Sequence, residues 1–83
     1  MPVNVRSTIL AQFEQVARTQ GKALTALSDD LPLIDSGLDS LCFAILVARL
    51  DDALGYDPFS TTENAEFPAT VGDFVRFYEN AAP

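Results

Sequence analysis

The stretch DSLCFAILVARLDDALG, residues 39–55, predicts a helix that carries a signal at each end. Asp39 is of a residue type that caps helix N-termini, and Gly55 is of the type that most often ends a helix. The first two turns are apolar all round, which is typical of a helix that is deeply buried or that docks on a partner. Because a domain of 83 residues cannot bury a helix on every side, we expect part of this surface to meet a partner.

Two further segments show the apolar spacing of amphipathic helices. Residues 5–18 predict the first helix, with Asn4 as its N-cap and Gly21 as its end. Thr70 opens the last helix, and its spacing from Asp73 is that of a capping box. The positions predicted to face the core are Val5, Ile9, Phe13, Val16 and Ala17 in the first helix and Val71, Phe74, Val75 and Tyr78 in the last.

The segments between these helices lack sustained periodicity. Residues 19–39 form a loop of about 20 residues, a length that is uncommon in a compact domain and usually functional. Residues 56–69 connect the last two main helices and contain one short helical turn near residues 62–67. No stretch alternates as a strand does, so the sequence predicts an all-α bundle of three main helices and one short helix, forming a single domain over residues 1–83. The apolar residues of the long loop are expected to pack on the core: Leu24, Leu27, Leu31, Leu33, Ile34 and Leu38.

The chain is acidic, with 12 aspartates and glutamates, 5 lysines and arginines and a net charge of −7. This balance argues against nucleic acid as a partner, because neutralising phosphates requires lysine and arginine, and against anionic membranes. An acidic surface attracts basic partner proteins, although solubility alone also explains it. The longest apolar run, residues 41–48, is too short to span a bilayer, and the first residues lack the pattern of a signal peptide. We therefore expect a cytoplasmic monomer without membrane insertion.

The chain contains no histidine, so it holds no Ser–His or Cys–His nucleophile pair of its own. The motif GLDSL, residues 37–41, is not a nucleophile elbow, because Cys42 stands where G-x-S-x-G requires glycine. Cys42 is the only cysteine, so it forms no intramolecular disulfide, and its apolar neighbours favour a buried thiol. The loop aspartates do not match a calcium-binding loop, so we expect no dedicated metal site, with loose cation association left open. Together these features argue against an enzyme.

Ser40 has no base within the chain to activate it, so an external enzyme must use its hydroxyl. With Asp39 as N-cap, Ser40 lies in the first turn of the helix, near unpaired N–H groups and the positive end of the helix dipole. Such a position suits a phosphate group. We expect Leu38 and Leu41 to anchor this junction in the core and the serine hydroxyl to face outward. The simpler alternative is that Asp39 and Ser40 are only capping residues.

The chain resembles the acyl carrier proteins over nearly its whole length. The resemblance rests on LIDSGLDSL (residues 33–41), ARLDDALGYD (residues 48–57) and PATVGDFVRFYENA (residues 68–81). It implies a four-helix bundle in which Ser40, between its motif neighbours Asp39 and Leu41, carries covalent 4′-phosphopantetheine. A phosphopantetheinyl transferase would move this arm from coenzyme A to Ser40, and the thiol of the arm would hold an acyl group as a thioester. An acyl-loading ligase or synthase and acyl-processing enzymes are the further partners that the resemblance implies.

The chain departs from the carriers of fatty acid biosynthesis, which usually have acids at the second and fifth positions after the serine. Here Cys42 and Ile45 occupy these positions, and Arg49 in the ARL run is closer to polyketide-type carriers. We therefore expect a specialised carrier of a lipid, polyketide or secondary-metabolite pathway. A carrier of an activated amino acid and an unmodified helical interaction domain are the alternatives.

The partners of such a carrier are expected to dock mainly through apolar contacts. Asp51 and Asp52, late in the central helix, retain the acidic pattern of the family. The expected docking residues are Phe43, Leu46, Arg49, Asp51 and Asp52, with Phe43 and Leu46 contributing either to the docking face or to a wall that lines the acyl group. The run of apolar residues leaves open which side of the helix faces outward.

Overall fold

Four helices and one 3-10 turn make up the part of the chain that the computed structural model describes, residues 4–61 and 68–81. In chain order the helices are α1 (Val5–Thr19), α2 (Ser40–Leu54), α3 (Pro58–Thr61) and α4 (Val71–Ala81), and the 3-10 turn (Leu33–Asp35) lies between α1 and α2. Over those residues no strand forms, and an isolated bridge pairs Pro32 with Thr70. The predicted all-α fold of three main helices and a short one is confirmed. Within the described ranges, none of the helices has the length and apolar character needed to cross a membrane.

The start of α1 and both ends of α2 fall where their capping residues predict. Asn4 caps α1 by accepting the Ser7 N–H on its side-chain oxygen at 3.0 Å. α1 runs one residue past its predicted end, to Thr19. α2 has its predicted bounds, and Gly55 ends it by donating its N–H to the Asp51 carbonyl oxygen at 2.8 Å.

The second half of the chain contains α3 and α4. The Oγ1 of Thr70 accepts the Asp73 N–H at 3.1 Å, as the capping-box spacing predicts. α3 is a single turn, and at its start the Asp57 carboxylate accepts the Phe59 N–H at 2.9 Å. The helical turn predicted near residues 62–67 lies outside the described residues, and α3 lies directly before them.

The core lies between α1, α2 and α4 and contains the predicted apolar positions of the first and last helices. Among those positions Val5 is half-buried, and the others are buried. The rings of Phe13 and Phe74 meet edge to face at the centre, with centroids 5.7 Å apart and planes at 78°. α2 contributes Cys42, Leu46 and Leu50, whose spacing of four places them on one stripe of the helix. Burial of the Cys42 thiol confirms the prediction that it acts as a small apolar residue.

The long loop between α1 and α2 packs on the N-terminus of α4. The carbonyl oxygens of Leu31 and Asp29 accept the N–H groups of Val71 and Gly72 at 2.9 and 3.0 Å. These are first-turn N–H groups that have no partner within α4, so the loop backbone caps that helix. An ion pair between Arg6 and Asp29 links the same part of the loop to α1.

The apolar side chains of the loop follow the prediction with one exception. Leu33 and Leu38 are buried, while the three upstream leucines are half-buried against the core. Ile34 is 88% exposed, so the prediction that it packs on the core is wrong. It directly follows buried Leu33 in a 3-10 turn, where consecutive side chains point in directions about 120° apart.

Candidate functional site

Ser40 is the first residue of α2 and is exposed. Asp39 precedes it in an extended backbone conformation and accepts the Cys42 N–H on its carboxylate at 2.9 Å, which confirms Asp39 as the N-cap. The main-chain oxygen of Asp39 accepts the Phe43 N–H at 3.0 Å. The first N–H groups of any helix lack partners within it, so partial positive charge lies beside the Ser40 side chain.

The Asp39 carboxylate is held in its ionised form. Its second oxygen lies 3.2 Å from the Nζ of Lys22, and both side chains are partly exposed. The hydrogen bonds from Cys42, followed by that from Lys22, lower the pKa of Asp39 to about 2. Asp39 therefore carries a full negative charge at neutral pH, and Lys22 offsets that charge next to Ser40.

Gly37 sets the path of the chain into this site. Its φ is +102°, and a Cβ added there would lie 2.1 Å from the Ala23 carbonyl oxygen. Glycine alone combines that backbone conformation with so close an approach. Hydrogen bonds from the Thr25 N–H to Ser36 O and from Thr25 Oγ1 to Asp35 O, each 2.9 Å long, hold the two parts of the loop together at this point. The turn that precedes Ser40 is thus held to the first part of the loop by hydrogen bonds.

An open apolar groove of about 610 Å³ begins at Ser40. It is lined by Ser40, Phe43, Ala44, Val47 and Phe59. Phe43 and Val47 lie one turn apart on α2, and Phe59 faces them from α3. The predicted role of Phe43 as a wall residue fits this groove, whose other wall comes from a residue that is far away in the sequence.

Leu46 does not belong to an exposed docking face, and that prediction is wrong. Its side chain is 0% exposed and packs in the core. The physical reason is its position midway between Cys42 and Leu50 on the stripe of α2 that is buried in the core, where α2 packs against α1. It is also absent from the residues that line the groove at Ser40.

Leu41 is 63% exposed, so the prediction that it anchors the Ser40 junction in the core is wrong. It is offset from the buried stripe of α2 by about a quarter turn or more and points to solvent. Leu38, on the other side of the serine, is buried and anchors the junction in the core. We call Leu41, Ala44, Ala48 and Asp51 the outer face of α2, because all four are exposed on the side that bears Ser40.

The remaining predicted docking residues occupy two different surfaces. Asp51 and Asp52 are exposed near the C-terminal end of α2. Arg49 is half-buried and donates from its Nε to the side-chain oxygen of Gln12 in α1 at 2.7 Å. Arg49 is thus joined to α1, whereas Asp51 lies on the outer face.

Sequence reasoning did not identify Lys22, Gly37 or Phe59 as parts of the site. Lys22 carries a usable signal, because it is the only basic residue of the long acidic loop. Gly37 directly precedes the LDSL residues of the motif, which marks it as a turn position. Phe59 carries no such signal, because only the packing of α3 against the bundle makes it line the same groove as Ser40.

The arrangement presents a hydroxyl and does not assemble catalytic machinery around it. Within residues 4–61 and 68–81, no group of three or more histidine, cysteine, aspartate and glutamate side chains is placed to hold a metal ion. Asp39 is occupied by the Cys42 N–H and Lys22, so it is poorly suited to accept a proton from Ser40. The site can offer Ser40 to an external reagent and supply a positive helix end and an apolar groove beside it.

The chain is similar to one solved structure of known role. This is the solution structure of MacpD, an acyl carrier protein from Pseudomonas fluorescens involved in mupirocin biosynthesis. The two chains share 33% sequence identity and superpose with a TM-score of 0.71, over 89% of this chain and 67% of the other. No family profile and no curated protein sequence matches the chain.

Proposed function

Since the chain belongs to the acyl carrier protein family, we propose that it holds an acyl cargo on a 4′-phosphopantetheine arm attached to Ser40. The observation that carries this proposal is the position of Ser40, exposed at the first residue of a capped helix and at the edge of an apolar groove. Proteins of this family are carriers and not enzymes, so partner proteins perform the chemistry. When attached, the arm supplies a thiol that binds the cargo as a thioester.

The residues around Ser40 fit a phosphate group. The N-terminus of α2 places positive partial charge beside the serine, which favours an anion. Asp39 would repel a phosphate on the neighbouring residue, but Lys22 lies 3.2 Å from its carboxylate and offsets the charge. The hydrogen bond from Cys42 further directs the Asp39 carboxylate toward the helix.

The attachment step requires an external transferase because Ser40 has no base of its own. The Ser40 oxygen forms a bond to the phosphorus of coenzyme A that bears the pantetheine, and the pyrophosphate bond to that phosphorus breaks. Adenosine 3′,5′-bisphosphate leaves, and the serine proton passes to a base of the transferase. The chain itself contributes an exposed hydroxyl that α2 holds at a defined position.

We assign the cargo to a polyketide or related secondary-metabolite pathway. MacpD takes part in mupirocin biosynthesis, and this chain shares its fold and a third of its residues over the matched region. Cys42 and Ile45, where fatty acid carriers usually have acids, are buried and half-buried here. Acidic contacts at those two positions are therefore not available to partners of this chain.

Partner enzymes are proposed to dock on the outer face of α2. Its small residues Ala44 and Ala48 allow close approach, and Leu41 supplies an exposed apolar side chain next to Ser40. Exposed Ile34 adds a second apolar side chain from the loop that precedes Ser40. A partner that covers this surface also covers the attachment site, which brings the cargo to its active site.

Intact mass spectrometry tests the attachment. The purified protein is incubated with coenzyme A, Mg²⁺ and a broad-range phosphopantetheinyl transferase. We expect a mass gain of one phosphopantetheine group in the wild type and in the matched control Ser28→Ala, because Ser28 is an exposed loop serine outside the motif. Ser40→Ala is expected to show no gain. A folded wild type that gains no mass would instead favour an unmodified helical interaction domain.

A further inference from the structure

The hydroxyl of Tyr78 is buried and has no hydrogen-bond partner in the part of the bundle that the structure describes. Tyr78 is 0% exposed in α4, and its Oη has no hydrogen-bond partner among the described residues. Leaving a buried hydroxyl unpaired is unfavourable, and phenylalanine would fill the same space without that penalty. Tyr56 provides the contrast, since its hydroxyl donates to the Tyr78 carbonyl oxygen at 2.8 Å.

Tyr78 packs against Phe59, one of the residues that line the groove at Ser40. The centroid of its ring is 6.0 Å from that of Phe59 and 5.1 Å from that of Phe74. Phe59 also lines the groove together with Ser40. Phe59, carried on the four-residue helix α3, therefore lines the groove and also packs against the Tyr78 ring.

The Tyr78 hydroxyl is suited to form a hydrogen bond with an uncharged oxygen. Burial, followed by the nearby Asp57 carboxylate, raises the pKa of Tyr78, so the group is protonated at neutral pH. A protonated phenol donates one hydrogen bond and can accept another. An anionic partner would be repelled by Asp57 and Asp51, whereas a hydroxyl or keto oxygen would not.

We propose that Tyr78 is a specificity residue for acyl cargo that bears an oxygen along its chain, with the chain passing Phe59 from the groove and its hydroxyl or keto group hydrogen-bonding to the Tyr78 hydroxyl. The inference rests on the proposed function, because the cargo is the one held at Ser40. A saturated chain follows the same apolar path but leaves the Tyr78 hydroxyl unpaired. Tyr78 thus separates oxygenated from saturated cargo of equal length.

The test compares cargoes that differ in a single oxygen. Octanoyl-coenzyme A and octanoyl-coenzyme A analogues with one hydroxyl at successive odd carbons are transferred to the protein by a broad-range transferase, and complete loading is checked by intact mass. Thermal unfolding of each loaded protein is then measured. We expect the best-fitting hydroxylated cargo to raise the Tm of the wild type above that of the octanoyl form by about 4 °C, the shift that one new buried hydrogen bond gives in a domain of this size.

Two variants assign that difference to one hydroxyl group. Tyr78→Phe removes only the proposed partner, and we expect the Tm difference between hydroxylated and saturated cargo to vanish. Tyr56→Phe removes the neighbouring hydroxyl, which already has a partner, and we expect the difference to remain. Equal Tm values for all cargoes in the wild type, or a difference that survives Tyr78→Phe, would overturn the proposal.

A second measurement uses the wild type alone. Tyrosine ring resonances in the nuclear magnetic resonance spectrum are compared between octanoyl-loaded and hydroxyoctanoyl-loaded protein, and we expect the Tyr78 signals to shift between the two. Identical Tyr78 signals in fully loaded samples would contradict the proposal. A protein that accepts no acyl-phosphopantetheine at all would overturn the proposed function itself, so the two failures are distinguishable by mass.

Discussion

Replacing Gly37 by alanine introduces two penalties at a single residue. A side chain at φ +102° is strained, and its Cβ would lie 2.1 Å from the Ala23 carbonyl oxygen, a backbone atom that cannot rotate away. We expect Gly37→Ala to lower the free energy of unfolding by about 3 kcal/mol. Gly21→Ala is the matched control, because Gly21 also has a positive φ, +66°, but nothing lies within 4 Å of an added Cβ.

The comparison of the two glycine variants is made by urea denaturation. Gly21→Ala is expected to cost only about 1 kcal/mol, the penalty of the left-handed backbone conformation alone. Equal losses in the two variants would show that the contact between residue 37 and Ala23 does not constrain the loop.

The lowered pKa of Asp39 predicts how the stability of the fold depends on pH. Its folded pKa of about 2 lies below the ordinary value of 3.8, so the ionised carboxylate stabilises the fold above about pH 4, and this contribution is lost as the pH falls toward 2. Asp39→Asn keeps a capping oxygen but removes the titration. We therefore expect the urea midpoint of the wild type to fall more steeply between about pH 5 and pH 2 than that of Asp39→Asn.

The control for this titration is Ser28→Ala. Ser28 is an exposed loop serine and its replacement leaves every carboxylate in place, so this variant is expected to keep the pH dependence of the wild type. A wild type and an Asp39→Asn variant with parallel pH profiles would contradict the account of Asp39.

At the scale of the helix, α2 separates a buried stripe from an exposed face. Leu46 is 0% exposed and Leu41 is 63% exposed, although the two leucines lie in the same apolar run. We expect Leu46→Ala to lower the free energy of unfolding by about 2–5 kcal/mol and Leu41→Ala to change it by less than about 0.5 kcal/mol. Chemical denaturation monitored by circular dichroism checks both values. Comparable losses in the two variants would contradict the assigned orientation of α2.

The start of α1 and the bounds of α2 were predictable, but the orientation of α2 was not. Asp39, Gly55 and Asn4 act through contacts within a few residues, so sequence patterns are sufficient to place the start of α1 and both ends of α2. The first turns of α2 are apolar on nearly every side, so periodicity could not distinguish the stripe of Leu46 from the face of Leu41. Only the packing of α2 against α1 in the assembled core selects the buried stripe.

At the scale of the whole molecule, the site depends on contacts between distant segments. Lys22 pairs with Asp39 from the other end of the long loop, and Phe59 completes the lining of the groove that α2 provides in part. Neither contact follows from local pattern, because each depends on how the loop and α3 pack on the bundle. The fold class was predictable because helical spacing is a local feature, and the position of Ser40 at the start of α2 was predictable from the capping residue Asp39. The groove and the buried Tyr78 hydroxyl could be identified only from the three-dimensional structure, because both depend on how the helices pack.

The central claim is that Ser40 is the attachment site of a phosphopantetheine arm. The most direct measurement is fragmentation mass spectrometry of the wild-type protein after incubation with coenzyme A and a phosphopantetheinyl transferase. The account predicts that the added mass is located on Ser40 and that every other serine remains unmodified. A folded protein that stays unmodified, or an arm located on any other residue, would contradict it.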